Sequence, residues 1–303
     1  MPQSIAIIGA PTSAGAYSPG QEEGPQAMRD AGLAAGLRER GFEVVDLGDV
    51  PRFRWSPDRE RPRAMNVPAV ASAIVAVAEK VASAVDAGQL PLVLGGDCTI
   101  ELGTVLGMRR HLPSLRLVYL DAHPDLNTPE SVVDGALDWM GVAHLLDLPG
   151  ALPELAGLGP RMPLLDADEL VLLGNSLRRT TEHERQVIEE RGIANVPEQV
   201  VAAGPAAAAA EALRLVGSGQ SYLVHLDTDV IDFAELPLAE NTDRNVGLAF
   251  ETVMRTLDGV LAGDGLAALT VSELDPHHGA ADGTTVRTFV GRLAASFAAR
   301  AFA

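Results

Sequence analysis

Metal-binding side chains stand at the ends of three apolar, strand-like runs: LVLGGDC (Leu92–Cys98), VYLDAHPDLNTPE (Val118–Glu130) and YLVHLDTDVID (Tyr222–Asp232). The candidate ligands, spaced two residues apart, are Asp121, His123, Asp125, Asp227 and Asp229. Side chains two apart on a strand share one face, so each group can converge on a single point. Unpaired buried carboxylates are costly, and bound cations would supply the missing countercharge. The pattern therefore predicts a metal site where these strands end.

The composition indicates a globular protein with a substantial core. The chain has 303 residues, of which 47% are apolar, and this excludes intrinsic disorder. Neither an internal repeat nor a break in composition divides the sequence, so residues 1–303 are interpreted as a single domain. No stretch reaches the run of about 18–20 apolar residues that spans a bilayer, and no membrane contact is expected.

The formal net charge of −18 argues against a nucleic-acid partner, because phosphate binding needs clustered Lys and Arg. It is compatible with an acidic cleft that attracts a cationic substrate or metal ions, although a solvated acidic surface accounts for most of these charges. A single cysteine excludes an internal disulfide, and the opening MPQSIAIIGAP lacks the basic segment of a signal peptide. Both observations favour a reducing, cytoplasmic location.

Strand-like and helix-like segments alternate along the chain. Strands are predicted at Ser4–Ile8, Glu43–Leu47, Pro91–Leu94, Arg116–Leu120, Leu170–Leu173, Tyr222–Leu226 and Ala268–Ser272. Helices are predicted at Gly24–Arg40, Pro68–Ala87, Glu101–His111, Thr181–Arg191, Ala206–Val216, Phe250–Ala262 and Thr284–Ala301. The alternation predicts an α/β fold of three αβα layers, in which helices cover both faces of a mostly parallel sheet of about eight strands. Ligands of such sheets bind beyond the carboxyl ends of the strands, where every acidic group named above lies.

Four segments resemble the signature segments of the arginase–agmatinase (ureohydrolase) family. They are GGDC (Gly95–Cys98), DAHPDLNTPE (Asp121–Glu130), LDTDVID (Leu226–Asp232) and SELDP (Ser272–Pro276). One such segment is moderate evidence, whereas four in the family's order along nearly the whole chain are strong evidence. The resemblance implies the arginase/deacetylase-like fold and, as in relatives, a homo-oligomer, either a trimer or a hexamer.

The resemblance also implies two Mn²⁺ ions, bridged by a hydroxide that attacks a guanidinium carbon. By this resemblance, Asp121 and Asp227 would bridge the two ions. Asp125 and Cys98 would complete the first site, and His123 and Asp229 would complete the second. Hard carboxylate oxygens suit Mn²⁺, and two cations lower the pKa of a shared water. Glu273 resembles the glutamate that binds the guanidinium by a charge-assisted hydrogen bond.

The chain departs from this pattern at Cys98, where the family has a histidine ligand. A thiolate is a softer ligand, and the thiol must lose a proton before it binds well. Three interpretations stay open: Cys98 binds Mn²⁺ weakly, the site takes a softer ion such as Zn²⁺ or Fe²⁺, or that ion is only partly present. A fourth is that Cys98 is a small buried residue that binds no metal.

Two further departures concern proton transfer and the substrate. Asp138 stands where arginases place a proton-shuttling histidine, and it can act as a general acid only if its pKa is raised. His144 is an alternative shuttle, but it is interpreted as a helix-surface histidine. Asn127 resembles the polar residue that contacts the substrate α-carboxylate in arginases, whereas Asp134 replaces a serine of the arginase pattern and would repel an α-carboxylate.

The favoured function is hydrolysis of a C–N bond in a cationic guanidino or amidino compound, which releases urea or a substituted urea and an amine. An N-hydroxyguanidino amino acid is an alternative substrate. Two rival hypotheses are a non-catalytic relative that acts as a binding module and a hydrolase of another class on the same scaffold, such as a deacetylase. Glu273 and the DAH and DTD segments favour the guanidino substrate.

Overall fold

The computed structural model describes residues 4–300, except for the side chains of residues 299 and 300. Within this range, eight parallel strands form one sheet. The strands are β1 (Ser4–Gly9), β2 (Glu43–Asp49), β3 (Leu90–Leu94), β4 (Arg116–Leu120), β5 (Leu170–Leu173), β6 (Ala194–Val196), β7 (Tyr222–Asp227) and β8 (Leu266–Ser272). Their order across the sheet is β2-β1-β3-β8-β7-β4-β5-β6, and every neighbouring pair is parallel. One edge of the sheet therefore collects the loops that follow all eight strands.

Eleven α-helices, counted over the same described residues, cover the two faces of the sheet. They are α1 (Gly24–Asp30), α2 (Leu33–Glu39), α3 (Val67–Asp86), α4 (Ile100–Arg109), α5 (Gly141–Leu145), α6 (Pro153–Ala156), α7 (Glu182–Arg191), α8 (Glu198–Ala203), α9 (Pro205–Val216), α10 (Phe250–Leu261) and α11 (Thr284–Ser296). Helices α1, α2 and α8 to α11 pack on one face, and α3 to α7 pack on the other. The predicted three-layer αβα architecture is confirmed.

Strand residues alternate between two apolar cores, one on each face of the sheet. In β1, Ile5 and Ile7 belong to one core, whereas Ala6 and Ile8 belong to the other, and all four are fully buried. This is the two-residue period of a strand. Because both faces are covered by helices, the strands read in the sequence as continuous apolar runs.

The predicted strands are confirmed, with one omission. All seven occur, and each lies within two residues of its predicted bounds. The eighth strand, β6, was missed because it has three residues and a polar residue, Asn195, at its centre. Helices α5, α6 and α8 were also missed, because four to six residues are too few to show a helical period.

Two predicted helices differ in extent from the observed ones. The helix predicted at Gly24–Arg40 is divided into α1 and α2, because Gly32 between them adopts a φ of 89°, a left-handed conformation that favours glycine. The helix predicted at Thr284–Ala301 ends as an α-helix at Ser296 and continues as a 3₁₀ turn. Its last residue, Ala301, lies outside the described residues.

Helix α3 is long and apolar enough, by length and composition alone, to cross a membrane, a property that the sequence-based prediction excluded. Half of its most apolar window is buried in the structure. Val70, Ile74, Val77 and Val81 recur at helical spacing on the buried side and pack into the core that α3 shares with α4. Core packing therefore accounts for the apolar composition of α3.

The four central strands of the sheet, β3, β8, β7 and β4, carry all four signature segments. Gly95–Cys98 follows β3, Asp121–Asp125 follows β4, Asp227 ends β7, and Glu273 follows β8. Neighbouring strands lie about 4.8 Å apart, so the four strand ends span roughly 15 Å. Side chains from distant parts of the sequence can therefore meet at this edge.

The loop after β3 lies directly against the loop after β1. The N–H of Asp97 donates to the carbonyl oxygen of Thr12 over 3.1 Å, and a Cβ atom at Gly96 would lie only 1.6 Å from that oxygen. Only glycine permits this close approach of two backbones. Gly96 thus fixes the height of the neighbouring Cys98 above the sheet.

We expect Gly96→Ala to lower the free energy of unfolding by about 1–3 kcal/mol or more, because backbone must move to admit the methyl group. Gly291→Ala is the matched control, since a Cβ at this position of α11 meets nothing within 4 Å. The control should be neutral or stabilising by up to ~1 kcal/mol, because Ala favours helices. Denaturant unfolding measures both variants. Equal unfolding midpoints for Gly96→Ala and the unsubstituted protein would contradict the close packing.

Candidate active site

A cavity of about 260 Å³ opens at the carboxyl ends of the four central strands. Seven of its lining side chains are carboxylates: Asp125, Asp134, Asp138, Asp227, Asp229, Glu240 and Glu273. No Lys or Arg occurs among the described residues that line it. The cavity therefore favours cations and disfavours anionic ligands.

Three groups of donor atoms at the base of this cavity are close enough to hold a metal ion. Within each group, all donor atoms lie within 4.8 Å of one another. The groups are Cys98 with Asp121 and His225, Cys98 with Asp227 and Glu273, and Asp121 with His123 and Asp229. Five of the six predicted ligands belong to these groups. The sixth, Asp125, lines the same cavity, but its Oδ2 accepts a hydrogen bond from the Tyr119 hydroxyl.

Two of these carboxylates have an oxygen without a hydrogen-bond partner, although they are buried. The atoms are Oδ2 of Asp121 and Oδ1 of Asp229. The other oxygen of Asp121 accepts the N–H of His123 over 2.6 Å, and Asp227 similarly accepts the N–H of Asp229 over 2.7 Å. Burial, followed by the charges of Asp121 and Asp229, raises the pKa of Asp227 well above its ordinary value. Orphaned oxygens in a repelling group of acids fit a site for divalent cations.

His123 and Arg179 both contact Asp229. His123 Nδ1 lies 3.0 Å from Asp229 Oδ2, and Arg179 Nη1 donates to the same oxygen over 3.1 Å. Burial raises the pKa of Asp229, but His123 and Arg179 outweigh burial and hold that pKa at about 2. Asp229 is therefore ionised at any ordinary pH and remains an anionic ligand. Arg179 was not among the predicted site residues, since it lies in the loop before α7, away from the signature segments.

The Cys98 thiol is buried among possible ligands rather than among apolar side chains. Its Sγ lies 3.1 Å from Asp227 Oδ2, 3.2 Å from Ser272 Oγ and 3.3 Å from His225 Nε2. Burial, with the charges of Asp227 and Glu273, raises the pKa of the thiol well above its ordinary value. Without a cation the thiol therefore keeps its proton and donates it to Asp227.

Glu273 is held at the cavity by its backbone and by both of its oxygens. Its φ of 62° is unusual for a non-glycine residue, and such conformations cluster at functional sites. The N–H of Cys98 donates to Oε1 over 2.7 Å, and Gln21 Nε2 donates to Oε2 over 3.1 Å. Burial, followed by Asp138 and Glu240, raises the pKa of Glu273 well above its ordinary value. The carboxylate is thus oriented in advance for a cationic group.

Of the remaining candidates, Asp138 and Asp134 lie at the cavity, whereas Asn127 does not. Asp138 and Asp134 both line the cavity, and burial raises the pKa of both carboxyls, in Asp138 with the charges of Glu240 and Asp97 added. Asn127 is fully buried and is absent from the described cavity lining. Its Oδ1 accepts hydrogen bonds from two hydroxyls, those of Ser131 and Thr181. Asn127 Oδ1 therefore links the side chains of Ser131 and Thr181, whereas its Nδ2 has no hydrogen-bond partner.

The interpretation of His144 as a surface histidine was wrong. His144 is 1% exposed, and its Nδ1–H donates to the Met140 carbonyl oxygen over 2.6 Å. It is not among the described residues that line the cavity, so it cannot shuttle protons there from this position. Burial lowers its pKa to about 4.

Two residues of the site, His225 and Glu240, were missed by sequence reasoning. His225 lies two residues before Asp227, and the two-residue period of β7 would have placed it on the face of the ligands. Glu240 lies in the polar segment after β7, where nothing in the pattern distinguishes it. Its Oε1 accepts a hydrogen bond from Ser18 over 3.0 Å, and burial raises its pKa to about 7.

Comparison with known proteins places this geometry in a family. The arginase family model matches residues 3–300. The chain is 31% identical to human arginase-1 over 290 residues, which cover 94% of this chain and 89% of the human protein. It superimposes on the crystal structure of arginase from Bacillus caldovelox with a TM-score of 0.87, 27% identity and 98% coverage of both chains. The chain therefore belongs to the arginase family.

The fold itself extends to more distant relatives. Proclavaminate amidino hydrolase from Streptomyces clavuligerus superimposes with a TM-score of 0.74 and 21% identity, over 98% of this chain and 93% of the other. This likeness shows the fold alone. The cavity residues of this chain, rather than the fold, must therefore decide its substrate.

We expect divalent cations to stabilise the protein, because they neutralise buried acids that only the folded state brings together. After chelation, Mn²⁺ at about 100 times its dissociation constant should raise the free energy of unfolding by ~2.7 kcal/mol. Thermal unfolding with and without Mn²⁺, Zn²⁺ or Fe²⁺ measures the effect, and Asp229→Asn should reduce it. An unchanged melting temperature with all three ions would contradict a metal site.

We expect His144 to make the protein less stable in acid. Its folded-state pKa of about 4 lies below the ordinary value of 6.5, so the unfolded chain binds the extra proton first. The contribution of the neutral imidazole to the free energy of unfolding is fully present above pH 6.5. It falls by about 3 kcal/mol as the pH drops to 4. Denaturant unfolding of His144→Gln should therefore show a flatter pH profile than that of the unsubstituted protein. Parallel profiles for the two proteins would contradict a neutral buried His144.

Proposed function

We propose that this protein is a binuclear metal-dependent hydrolase that cleaves a C–N bond of a guanidino or amidino compound and releases urea, or a substituted urea, and an amine. The observation that carries the proposal is the convergence of the donor groups and Glu273 on one acidic cavity. Membership of the arginase family supports a hydrolase of this type. The binding-module hypothesis has no comparable support, since the site retains reactive groups throughout.

Two divalent ions are the proposed cofactors: Mn²⁺ by resemblance to the family, with Zn²⁺ or Fe²⁺ as the alternative because Cys98 is a softer donor. Asp121 and Asp227 would bridge the ions, His123 and Asp229 would complete one site, and Cys98 would belong to the other. Asp125 would complete the site at Cys98 only if its carboxylate gave up the hydrogen bond from the Tyr119 hydroxyl and bound the ion instead. When bound, such ions supply a water that is deprotonated near neutral pH.

The side chains around the ions would orient the substrate. The Glu273 carboxylate accepts two protein hydrogen bonds and has lone pairs left for the N–H groups of a guanidinium. A guanidinium is a poor electrophile, so fixing it close to the attacking water supplies much of the acceleration. Asp229, held ionised by His123 and Arg179, keeps its place throughout the reaction.

Asp138 is the proposed proton donor to the leaving amine. Burial and neighbouring acids raise its pKa well above the ordinary value, which favours the protonated carboxylic acid that a proton donor requires. As the C–N bond breaks, its electron pair passes to the nitrogen, and the Asp138 proton neutralises that nitrogen. The amine then leaves uncharged or takes a second proton from solvent.

The proposed substrate has a cationic or neutral tail rather than a free α-carboxylate. Asp134, Asp138 and Glu240 line the cavity, and no Lys or Arg among the described lining residues offers a positive charge to a carboxylate. Asn127, which resembles a carboxylate-binding residue, is fully buried and is absent from the described cavity lining; its Oδ1 accepts from Ser131 and Thr181, and its Nδ2 has no hydrogen-bond partner. An N-hydroxyguanidino amino acid is the alternative substrate, and it differs in the head group as well as the tail.

We propose a cytoplasmic location, which the single, buried thiol supports. Family resemblance supports a trimer or hexamer, and light scattering measures this directly.

The interpretation of residues 1–303 as a single domain stays a prediction. A lack of nucleic-acid or membrane partners also stays a prediction, supported by the acidic net charge of −18.

We expect the metal-loaded protein to release urea from guanidines with an amine or neutral tail in preference to L-arginine. Glu273→Gln should lower kcat/KM by about 10–100-fold while metal content stays unchanged, because it removes a charge-assisted hydrogen bond. Glu130→Gln is the matched control, since Glu130 is exposed and lies outside the cavity lining. The panel includes N-hydroxy-L-arginine, and urea and hydroxyurea are assayed. Absence of any urea-type product from fully loaded protein would contradict the proposed function.

A further inference from the structure

His225 is a fully buried histidine that lies behind Cys98, a residue of the cavity lining. It lies on β7 two residues before Asp227, so both side chains point to the same face of the sheet. Its ring stacks on Tyr119, with centroids 4.2 Å apart and planes 9° from parallel. The imidazole is therefore fixed in both position and orientation.

A buried carboxylate determines which nitrogen of His225 faces Cys98. Glu101, in the first turn of α4, is 1% exposed, and its Oε2 lies 3.1 Å from His225 Nδ1. Nδ1–H donates to Glu101, so Nε2 presents a lone pair to Cys98 Sγ at 3.3 Å and Ser272 Oγ at 3.0 Å. Metal-binding histidines characteristically donate their other ring N–H to a carboxylate in this way.

The distances between donors match those around one cation. Cys98, Asp121 and His225 offer donor atoms within 4.8 Å of one another, and Asp121 Oδ2 has no hydrogen-bond partner. With bonds of about 2.0–2.3 Å and bond angles of about 90–110°, two donors on the same ion lie roughly 2.8–3.8 Å apart. The Sγ–Nε2 separation of 3.3 Å and the separation of 3.1 Å from Sγ to Asp227 Oδ2 both fall in this range.

We propose that His225 is a ligand of the ion at Cys98, and that Cys98 and His225 together replace the single histidine found at position 98 in related sequences. The proposal rests on the proposed binuclear centre and specifies one of its two sites. On binding, the thiol proton leaves to solvent, Sγ and Nε2 bind the ion, and Glu101 keeps the imidazole oriented. Sulfur and imidazole donors beside carboxylates favour a borderline ion such as Zn²⁺ or Co²⁺ over Mn²⁺.

The same three side chains also resemble a thiol nucleophile activated by an imidazole and a carboxylate. The surroundings favour the metal instead. Asp227 lies 3.1 Å from the sulfur, where a second negative charge would oppose a free thiolate, and the orphaned Asp121 oxygen lies in the same group. A cation neutralises all of these groups at once.

Co²⁺ titration of the chelated protein tests the proposal without any substrate. The unsubstituted chain should bind about two ions, one of which shows a thiolate-to-cobalt charge-transfer band in the near ultraviolet. His225→Gln should weaken the ion with the charge-transfer band at least 100-fold, and Glu101→Gln should weaken it about 10–100-fold. Ser272→Ala is the matched control, because it removes the other neighbour of Nε2, and it should change affinity less than threefold.

Every variant should still bind an ion at His123 and Asp229. This binding shows that the variant is folded. If a variant does not fold, the metal ligands are counted instead by X-ray absorption spectroscopy of the unsubstituted protein loaded with Zn²⁺. Two imidazoles and one sulfur, counted over both ions, support the proposal, whereas a single imidazole overturns it. Full affinity and an unchanged charge-transfer band in His225→Gln also overturn it, as does alkylation of Cys98 at equal rates with and without metal. Intact Co²⁺ binding with no urea formation contradicts the proposed function alone.

Discussion

Mutual repulsion among buried acids at one edge of the sheet is the constraint on which the site depends. Asp121, Asp227, Asp229 and Glu273 are each at most 5% exposed; Arg179 pairs with Asp229, and His123 pairs with Asp229 and Asp121. Such a cluster opposes folding unless the acids take up protons or bind cations. The orphaned oxygens of Asp121 and Asp229 show that protein hydrogen bonds do not complete the cluster. Divalent cations would complete it, and the same negative charge favours a cationic substrate in the cavity.

Topology is what brings the acids together. Strands β3 and β4 follow one another in sequence, but β8 and β7 lie between them in the sheet. The loops at their carboxyl ends therefore face one another across the crevice where open α/β sheets bind ligands. Close backbone approach at Gly96 and the left-handed conformation of Glu273 then set the final positions. Fold and site are linked because the strands that build the core also end in the ligands.

Sequence alone predicted most of the fold and the members of the cluster that lie in regular patterns. Apolar runs identify strands buried on both faces, and acids two residues apart identify a shared face. Short elements such as β6 escaped because three residues carry no period. His144 was misjudged because burial depends on packing against distant segments, which no local pattern records. His225 escaped because it reads as one polar residue within an apolar strand, although its contacts to Cys98 and Glu101 span more than 120 residues.

The central claim is that Asp121 and Asp227 share a pair of divalent cations. Anomalous X-ray diffraction from crystals of the metal-loaded protein tests it most directly. We expect two anomalous peaks, both within bonding distance of Asp121 and Asp227, with one peak beside His123 and the other beside Cys98. A fully loaded crystal whose anomalous peaks lie elsewhere, with these carboxylates hydrogen-bonded as protonated acids, would contradict the claim.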